Sequence, residues 1–276
     1  MMWYTEFMTP VFSVSTNLFS LADTLECGQC FRFRKISENV YSGVALGRSI
    51  ELCQRGEELL VGGISEQVFR AKYLSYFALD VDYAKIHAEL GKDATLRAII
   101  DFAPGLRVLR QPLFESLISF ILSQNNNIKR ITGIVERLCR RFGEELPGGD
   151  YDFPTPQAIA GLSSEDLVDV RCGYRGDYII DAARRWLTKE IDADSIKNAP
   201  LAEARSQLLK IRGVGPKVAD CVLLFGAGRL DAFPEDVWIK RAMREFFPDG
   251  LPAAAAPYAG VAQQYIFHFA RATLTR

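Results

Sequence analysis

A chain of 276 residues, 49% of them hydrophobic, is long enough to bury one large core or two smaller ones, which excludes a disordered or low-complexity polypeptide. A formal net charge of -1 denies it the overall basicity common among nucleic-acid-binding domains, so such a partner would have to be met by a local patch. Met1 to Ser20 carry Glu6 as their only charge, and the most apolar helical stretch, Leu117 to Leu122, is far too short for a bilayer; neither leader nor membrane span is expected, and the location is read as cytoplasmic.

From Val11 to about Gly63, short alternating runs (Phe31-Arg-Phe33-Arg, Val40-Tyr-Ser-Gly-Val44, Ile50-Glu-Leu52) broken by Gly28, Gly43, Gly47 and Gly56 predict an antiparallel sheet. The six cysteines (27, 30, 53, 139, 172, 221) lack framework spacing, which predicts reduced thiols. Cys27-Gly-Gln-Cys30 has no second CxxC to complete a zinc site, and the two histidines, His87 and His268, are remote in sequence; neither a metal nor a redox role is expected. From Ser65 onward the period changes, and Val68, Tyr73 and Phe77 begin a helical series.

The expected helices are Pro112 to Gln124, Ile128 to Phe142, Pro156 to Ala160, Ser164 to Val170, Arg175 to Thr188, Leu201 to Ile211, Pro216 to Phe225, Glu235 to Phe247 and Pro257 to Leu274. Pro112, Pro156 and Pro216 suit a first turn, where a missing N–H costs nothing. Pro-Gly-Gly at 147–149 reads as a surface turn, and Pro252 to Pro257 as a short linker. The resulting division is a sheet domain with flanking helices over 1–95 and a helical body over 96–276, with a helix-hairpin-helix at about 201–226.

Basic charge is local. Residues 123–143 hold Lys129, Arg130, Arg137, Arg140 and Arg141 against Glu136 alone, and Arg205, Lys210, Arg212 and Lys217 follow one another with no acid between them. Both segments offer phosphate contacts, although solvated helix faces would look the same from charge alone. In the second, Leu208-Leu-Lys-Ile-Arg-Gly-Val-Gly-Pro-Lys-Val-Ala-Asp220 reads as helix, hairpin and new helix. Gly213 and Gly215 let the backbone, with Val214 between them, approach an anion that the following helix N-terminus attracts. Lys217 stands in the first turn of that helix. Asp236 opens another, so an amine and a carboxylate can face one site; a plain phosphate contact and a helix cap are the ordinary alternatives.

The sequence resembles the helix-hairpin-helix DNA glycosylases with a Gly/Pro-rich loop and catalytic aspartate, and within them the 8-oxoguanine branch. The resemblance rests on Glu26-Cys-Gly-Gln-Cys-Phe-Arg32, Ser123-Gln-Asn-Asn-Asn-Ile-Lys-Arg-Ile-Thr-Gly133, Gly173-Tyr-Arg175, Gly213-Val-Gly-Pro-Lys-Val-Ala-Asp-Cys221, Phe233-Pro-Glu-Asp236 and Pro257-Tyr-Ala-Gly-Val-Ala-Gln263. It implies an α+β architecture: an N-terminal antiparallel sheet domain like the TATA-binding protein, then an all-helical body. The implied activity is that of a bifunctional glycosylase and AP lyase, monomeric, acting on duplex DNA that contains 8-oxoguanine by flipping the base out.

Residue by residue, the resemblance gives Lys217 as nucleophile and Asp236 as the group stabilising the cationic sugar. It places Gly28, Cys221, Gln263 and Phe267 around the everted base, with the Gly28 carbonyl accepting from N7–H. Asn125 and Tyr174 would fill and wedge the gap, and Arg130 and Arg175 would hold the orphaned cytosine. It also implies a structural monovalent cation on the backbone carbonyls of Leu209, Ile211 and Val214, with no required cofactor and no iron-sulfur cluster. Two departures stand out: Trp238 occupies the place of a histidine in eukaryotic members, and Gln124 that of a serine. An alkylated-base glycosylase on the same scaffold, or a non-catalytic DNA-binding module, are the rival readings. The first sits poorly with a lysine nucleophile, and the second leaves Asp236 and the pocket unexplained.

Overall fold

The alternation between residues 31 and 62 becomes, in the computed structural model, which describes residues 12–274, a five-stranded sheet. Its strands are β1 (Phe12–Ser15), β2 (Phe33–Ser37), β3 (Val40–Ala45), β4 (Arg48–Arg55) and β5 (Glu58–Gly62). They lie in the order β1-β5-β4-β3-β2, every pair antiparallel, so that the first strand closes on the last through Phe12 opposite Val61. Val11, where the sequence pattern begins, lies outside the described residues. Leu46 and Gly47, both at positive φ (52° and 74°), form the two-residue β3–β4 turn, whose twist matches that of the strands it joins. Helix α1 (Leu21–Glu26) follows β1. After the sheet, α2 (Glu66–Val68), a π-turn (Phe69–Tyr73) and α3 (Leu74–Tyr76) run on without a break, laying Phe69, Tyr73 and Phe77 on Tyr41, Ile50, Leu52, Leu59 and Val61.

The remainder is helical: α4 (Tyr83–Leu90), α5 (Ala94–Phe102), α6 (Leu113–Ser123), α7 (Ile128–Phe142), α8 (Pro156–Ala160), α9 (Arg175–Leu187), α10 (Ala193–Asn198), α11 (Leu201–Leu208), α12 (Pro216–Phe225), α13 (Val237–Phe246) and α14 (Ala259–Thr273). Nearly all of α6 is buried, which makes it the central helix; α7 buries Ile131, Ile134, Val135, Leu138 and Cys139 and turns its basic residues outward. No described helix is long and apolar enough to cross a membrane.

The two cores interlock instead of separating at residue 95. Cys27, Phe31 and Tyr83 belong to the helical core, while Cys30 and Leu109 belong to the core beneath the sheet. Burial pushes the Cys27 thiol up to about 11 and Cys30 well above the usual thiol range, so both are inert filling. Between them Gln29 is fully buried and ties the segments together: its amide donates to the carbonyls of Thr24 (2.8 Å) and Arg107 (2.7 Å), and its Oε1 accepts from Leu109 N–H (2.8 Å). Arg107 is buried without a carboxylate. It donates to the carbonyls of Asn17, Leu18, Ala78 and Val81 and lies 4.0 Å from the Tyr83 ring centroid, an arrangement that satisfies a guanidinium and lowers its pKa only through burial.

Two expected segments differ, and one helix is additional. Ser164 to Val170 is a chain of turns, not a helix, because successive amides reach back three residues (Leu167 to Ser164, Val168 to Glu165, Val170 to Leu167). Pro252 to Pro257 is no free linker: Ala253–Tyr258 forms a 3-10 helix that buries Ala255, and α14 starts only at Ala259. Helix α10 was absent from the sequence reading; its Asp192 cap is clear, but Ile196 is its only buried residue.

Candidate active site

Helices α6 and α7 are separated by residues 124–127, and this loop, the hairpin and the start of α13 surround an open cleft of about 820 Å³. Its walls include Asn125, Arg130, Tyr174, Gly215, Lys217, Asp236 and Lys240. Lys217 is there because Pro216 and the extended Gly215 begin α12 at that point. Its amine lies 5.5 Å from the centroid of the buried Phe120 ring, and one turn on is the buried Cys221 thiol, pushed up by burial with the Lys217 amine opposing. The half-buried amine thus rests on an apolar wall at the edge of the cleft.

Asp236 caps α13. Its Oδ1 accepts from Trp238 N–H (2.9 Å) and Ile239 N–H (2.8 Å), leaving Oδ2 without a bonded partner among the described residues. The cap alternative and the catalytic reading are therefore compatible: one oxygen fixes the side chain while the other faces the cleft chemistry.

Asn125 is exposed and left-handed (φ 50°), a conformation asparagine tolerates better than most residues. The capping role falls to Asn127, whose Oδ1 accepts from Arg130 N–H (2.9 Å), so Asn125 does not cap α7. Tyr174 is 55% exposed and stands on Tyr178 (ring centroids 5.6 Å apart, edge-on). Tyr178 in turn fills the space above Gly213, where a Cβ would lie 2.2 Å from its ring. Gly213 has φ 78°. Gly213→Ala is expected to cost about 2–4 kcal/mol, summing left-handed strain and overpacking, as read from urea unfolding; a loss below half that would contradict the close approach.

Several cations are committed elsewhere. Arg205 is paired with the buried Asp220 (2.7 Å), Arg141 with the exposed Asp169 (2.9 Å) and Arg140 with the exposed Glu136, while Arg137 donates to the Val170 carbonyl; of these ion pairs only the first has a buried partner. Arg175 is buried, donating to the carbonyls of Gln124, Asn125 and Cys172, with its guanidinium 4.4 Å from the Tyr174 ring centroid. It braces the Asn125 loop rather than opening onto the cleft. Arg130 does line the cleft.

Gly28, Cys221, Gln263 and Phe267 lie outside the cleft walls. Gly28 (φ 81°) and Phe267 meet through Arg271, whose Nη1 is 3.8 Å from where a Gly28 Cβ would stand and whose guanidinium is 5.5 Å from the Phe267 centroid. Gln263 is 4% exposed and its Oε1 has no hydrogen-bond partner among the described residues. The structure thus joins Lys217, Cys221 and Asp236, and separately Gly28 and Phe267.

Residues 11–117 match the 8-oxoguanine DNA glycosylase N-terminal domain, and residues 118–250 the HhH-GPD superfamily of base excision DNA repair proteins. The chain belongs to the 8-oxoguanine DNA glycosylase family. It is 33% identical over 256 residues to the N-glycosylase/DNA lyase of Saccharomyces cerevisiae, an alignment spanning 82% of this chain and 68% of that one. A solved 8-oxoguanine glycosylase/lyase from Clostridium acetobutylicum, in complex with double-stranded DNA containing cytosine opposite 8-oxoguanine, is 32% identical at a TM-score of 0.88, covering 96% of this chain and 99% of that one. The 3-methyladenine DNA glycosylase of Archaeoglobus fulgidus (20% identity, TM-score 0.74, 96% and 100% covered) shares the fold.

Sequence reasoning missed Phe120 beneath the amine, and Val237 (77% exposed) and Lys240 on the cleft rim. Val237 and Lys240 carried a signal, being the first and fourth residues of a helix whose cap had been identified; Phe120 carried none, since any apolar residue of α6 reads as core.

Proposed function

We propose that the enzyme excises 8-oxoguanine from duplex DNA, preferentially opposite cytosine, and then nicks the strand through a Schiff base on Lys217. The observation carrying this reading is the shared cleft: a lysine amine against an apolar wall, and a carboxylate whose second oxygen is uncommitted. The neutral amine attacks C1′ of the everted nucleotide as the glycosidic bond breaks, and that bond's electron pair leaves with the base. Asp236 stabilises positive charge developing on the sugar. Opening of the sugar ring gives the Schiff base, whose C2′ proton is acidic enough for β-elimination of the 3′ phosphate.

Gln263 Oε1 would accept from the base's Watson–Crick edge, and the Gly28 carbonyl from the N7–H that guanine lacks, a missing bond worth about 1–3 kcal/mol of discrimination. Leu209, Ile211 and Val214 suit a monovalent cation. Among the described residues no backbone amide donates to the carbonyls of Leu209 or Val214, and Ile211 retains a lone pair beyond the one accepting from Val214 N–H. The chemistry needs no redox cofactor.

The test is covalent trapping: protein, a duplex with 8-oxoguanine opposite cytosine, and borohydride should give a cross-linked species that an undamaged duplex does not. No adduct would leave a binding module as the better description, and an adduct only with alkylated bases would favour the rival glycosylase. Arg130 supports the opposite-base preference, being exposed on the cleft with no carboxylate within ion-pair distance among the described residues. Arg130→Ala should lower the ratio of excision opposite cytosine to excision opposite adenine by about tenfold, the worth of one charged hydrogen-bond set; an unchanged ratio would refute that role.

A further inference from the structure

Helix α14 presents two adjacent stripes. Gln263 and Phe267, one turn apart, form the stripe assigned above to the base. The neighbouring stripe, Gln264, His268 and Arg271, spaced i, i+4 and i+7, is polar, and all three members touch the N-terminal segment that ends in Gly28. Gln264 is 2% exposed and its Nε2 donates to the Cys27 carbonyl at 3.2 Å. His268 Nε2 lies 3.4 Å from Asp23 Oδ1 on α1, and Arg271 Nη1 comes within 3.8 Å of the Cβ position of Gly28.

A buried glutamine is costly unless its amide is satisfied, and Gln264, the most buried member of this polar stripe, meets that need through the Cys27 carbonyl. The atom it holds is one peptide away from the Gly28 carbonyl. Gly28 itself is left-handed, and its space is closed on one side by Ile128 Cδ1, 2.9 Å from the Cβ position. The Gln264 amide anchors the Cys27–Gly28 peptide, which precedes the Gly28 carbonyl, from the α14 side, while Gln29 ties down the residue that follows it.

We propose that Gln264, supported by His268 and Arg271, is a positioning residue that aims the Gly28 carbonyl and thereby sets discrimination between 8-oxoguanine and guanine. This rests on the proposed role of Gly28. It adds that damage recognition is governed from α14 through a side chain that touches no substrate. Recognition and support then share one helix, one stripe for each task.

The experiment uses Gln264→Met, which keeps volume and removes the donor. Single-turnover excision of 8-oxoguanine should fall about tenfold while the slow excision of guanine does not fall in proportion, so the ratio between the two bases shrinks. Cleavage of a preformed abasic site, which uses no base pocket, serves as the reporter of an intact fold and should change less than twofold. A merely structural role would lower both reactions together with the melting temperature, and would overturn the proposal. So would an unchanged base ratio with full lyase activity. If wild-type protein fails to excise 8-oxoguanine at all, it is the functional reading that falls, and the two failures are told apart by the wild-type control.

Discussion

Lys217→Gln is expected to abolish the borohydride adduct and to reduce excision by a factor on the order of 10³ or more, because Lys240, the other amine bordering the cleft among the described residues, is exposed and lacks the half-buried setting of Lys217. Of the cations that border the cleft, Arg130 carries a guanidinium that stays protonated, and Lys240 projects from the exposed side of α13. Glutamine matches lysine closely in length, so packing on Phe120 survives, and duplex affinity should fall by no more than one phosphate contact is worth. The measurements are gel detection of the cross-link and a filter-binding titration at two salt concentrations. Persistence of the adduct would transfer the nucleophile to another residue.

The second large effect separates two jobs of one side chain. Asp236→Asn keeps an oxygen able to accept from Trp238 and Ile239, and asparagine caps helices about as well as aspartate. Stability should therefore stay within about 1 kcal/mol, the loss being the carboxylate's attraction to the helix dipole. Excision should fall about 10²–10³-fold, since the charge that stabilises the developing cation is gone. Asp236→Ala should show the same kinetic loss with a further ~1 kcal/mol of destabilisation from the missing cap. If Asp236→Asn retains near-normal single-turnover rates, the residue is a cap and nothing more.

Sequence alone brought Lys217 and Asp236, the two residues proposed to do the chemistry, to one cleft because each has a local signature. A Gly-Val-Gly-Pro run places Lys217 in a first turn whatever surrounds it, and a lone aspartate before an amphipathic run marks a cap. The sheet was visible for the same reason, its alternation being a property of neighbours in the chain. What escaped depends on contacts between distant segments. Arg205 looks like Lys210 in sequence, yet Asp220, 15 residues away on the next helix, takes it out of the phosphate-binding set. Arg175 looks like an exposed guanidinium in sequence, but it is buried and donates to the carbonyls of Gln124, Asn125 and Cys172, contacts that no local pattern announces. Gln264 gives no hint at all of its tie to Cys27, 237 residues upstream.

The stack of Tyr174 on Tyr178 on Gly213 works as a calliper. One jaw is the glycine hairpin and the other the protruding ring, with the Tyr178 ring between them; on the proposed reading the hairpin grips a phosphate while the ring wedges beside the lesion. Duplexes in which an extra unpaired nucleotide intervenes between the gripped phosphate and the lesion would present that lesion out of phase. Such bulged DNA would be processed poorly however well the altered base itself fits.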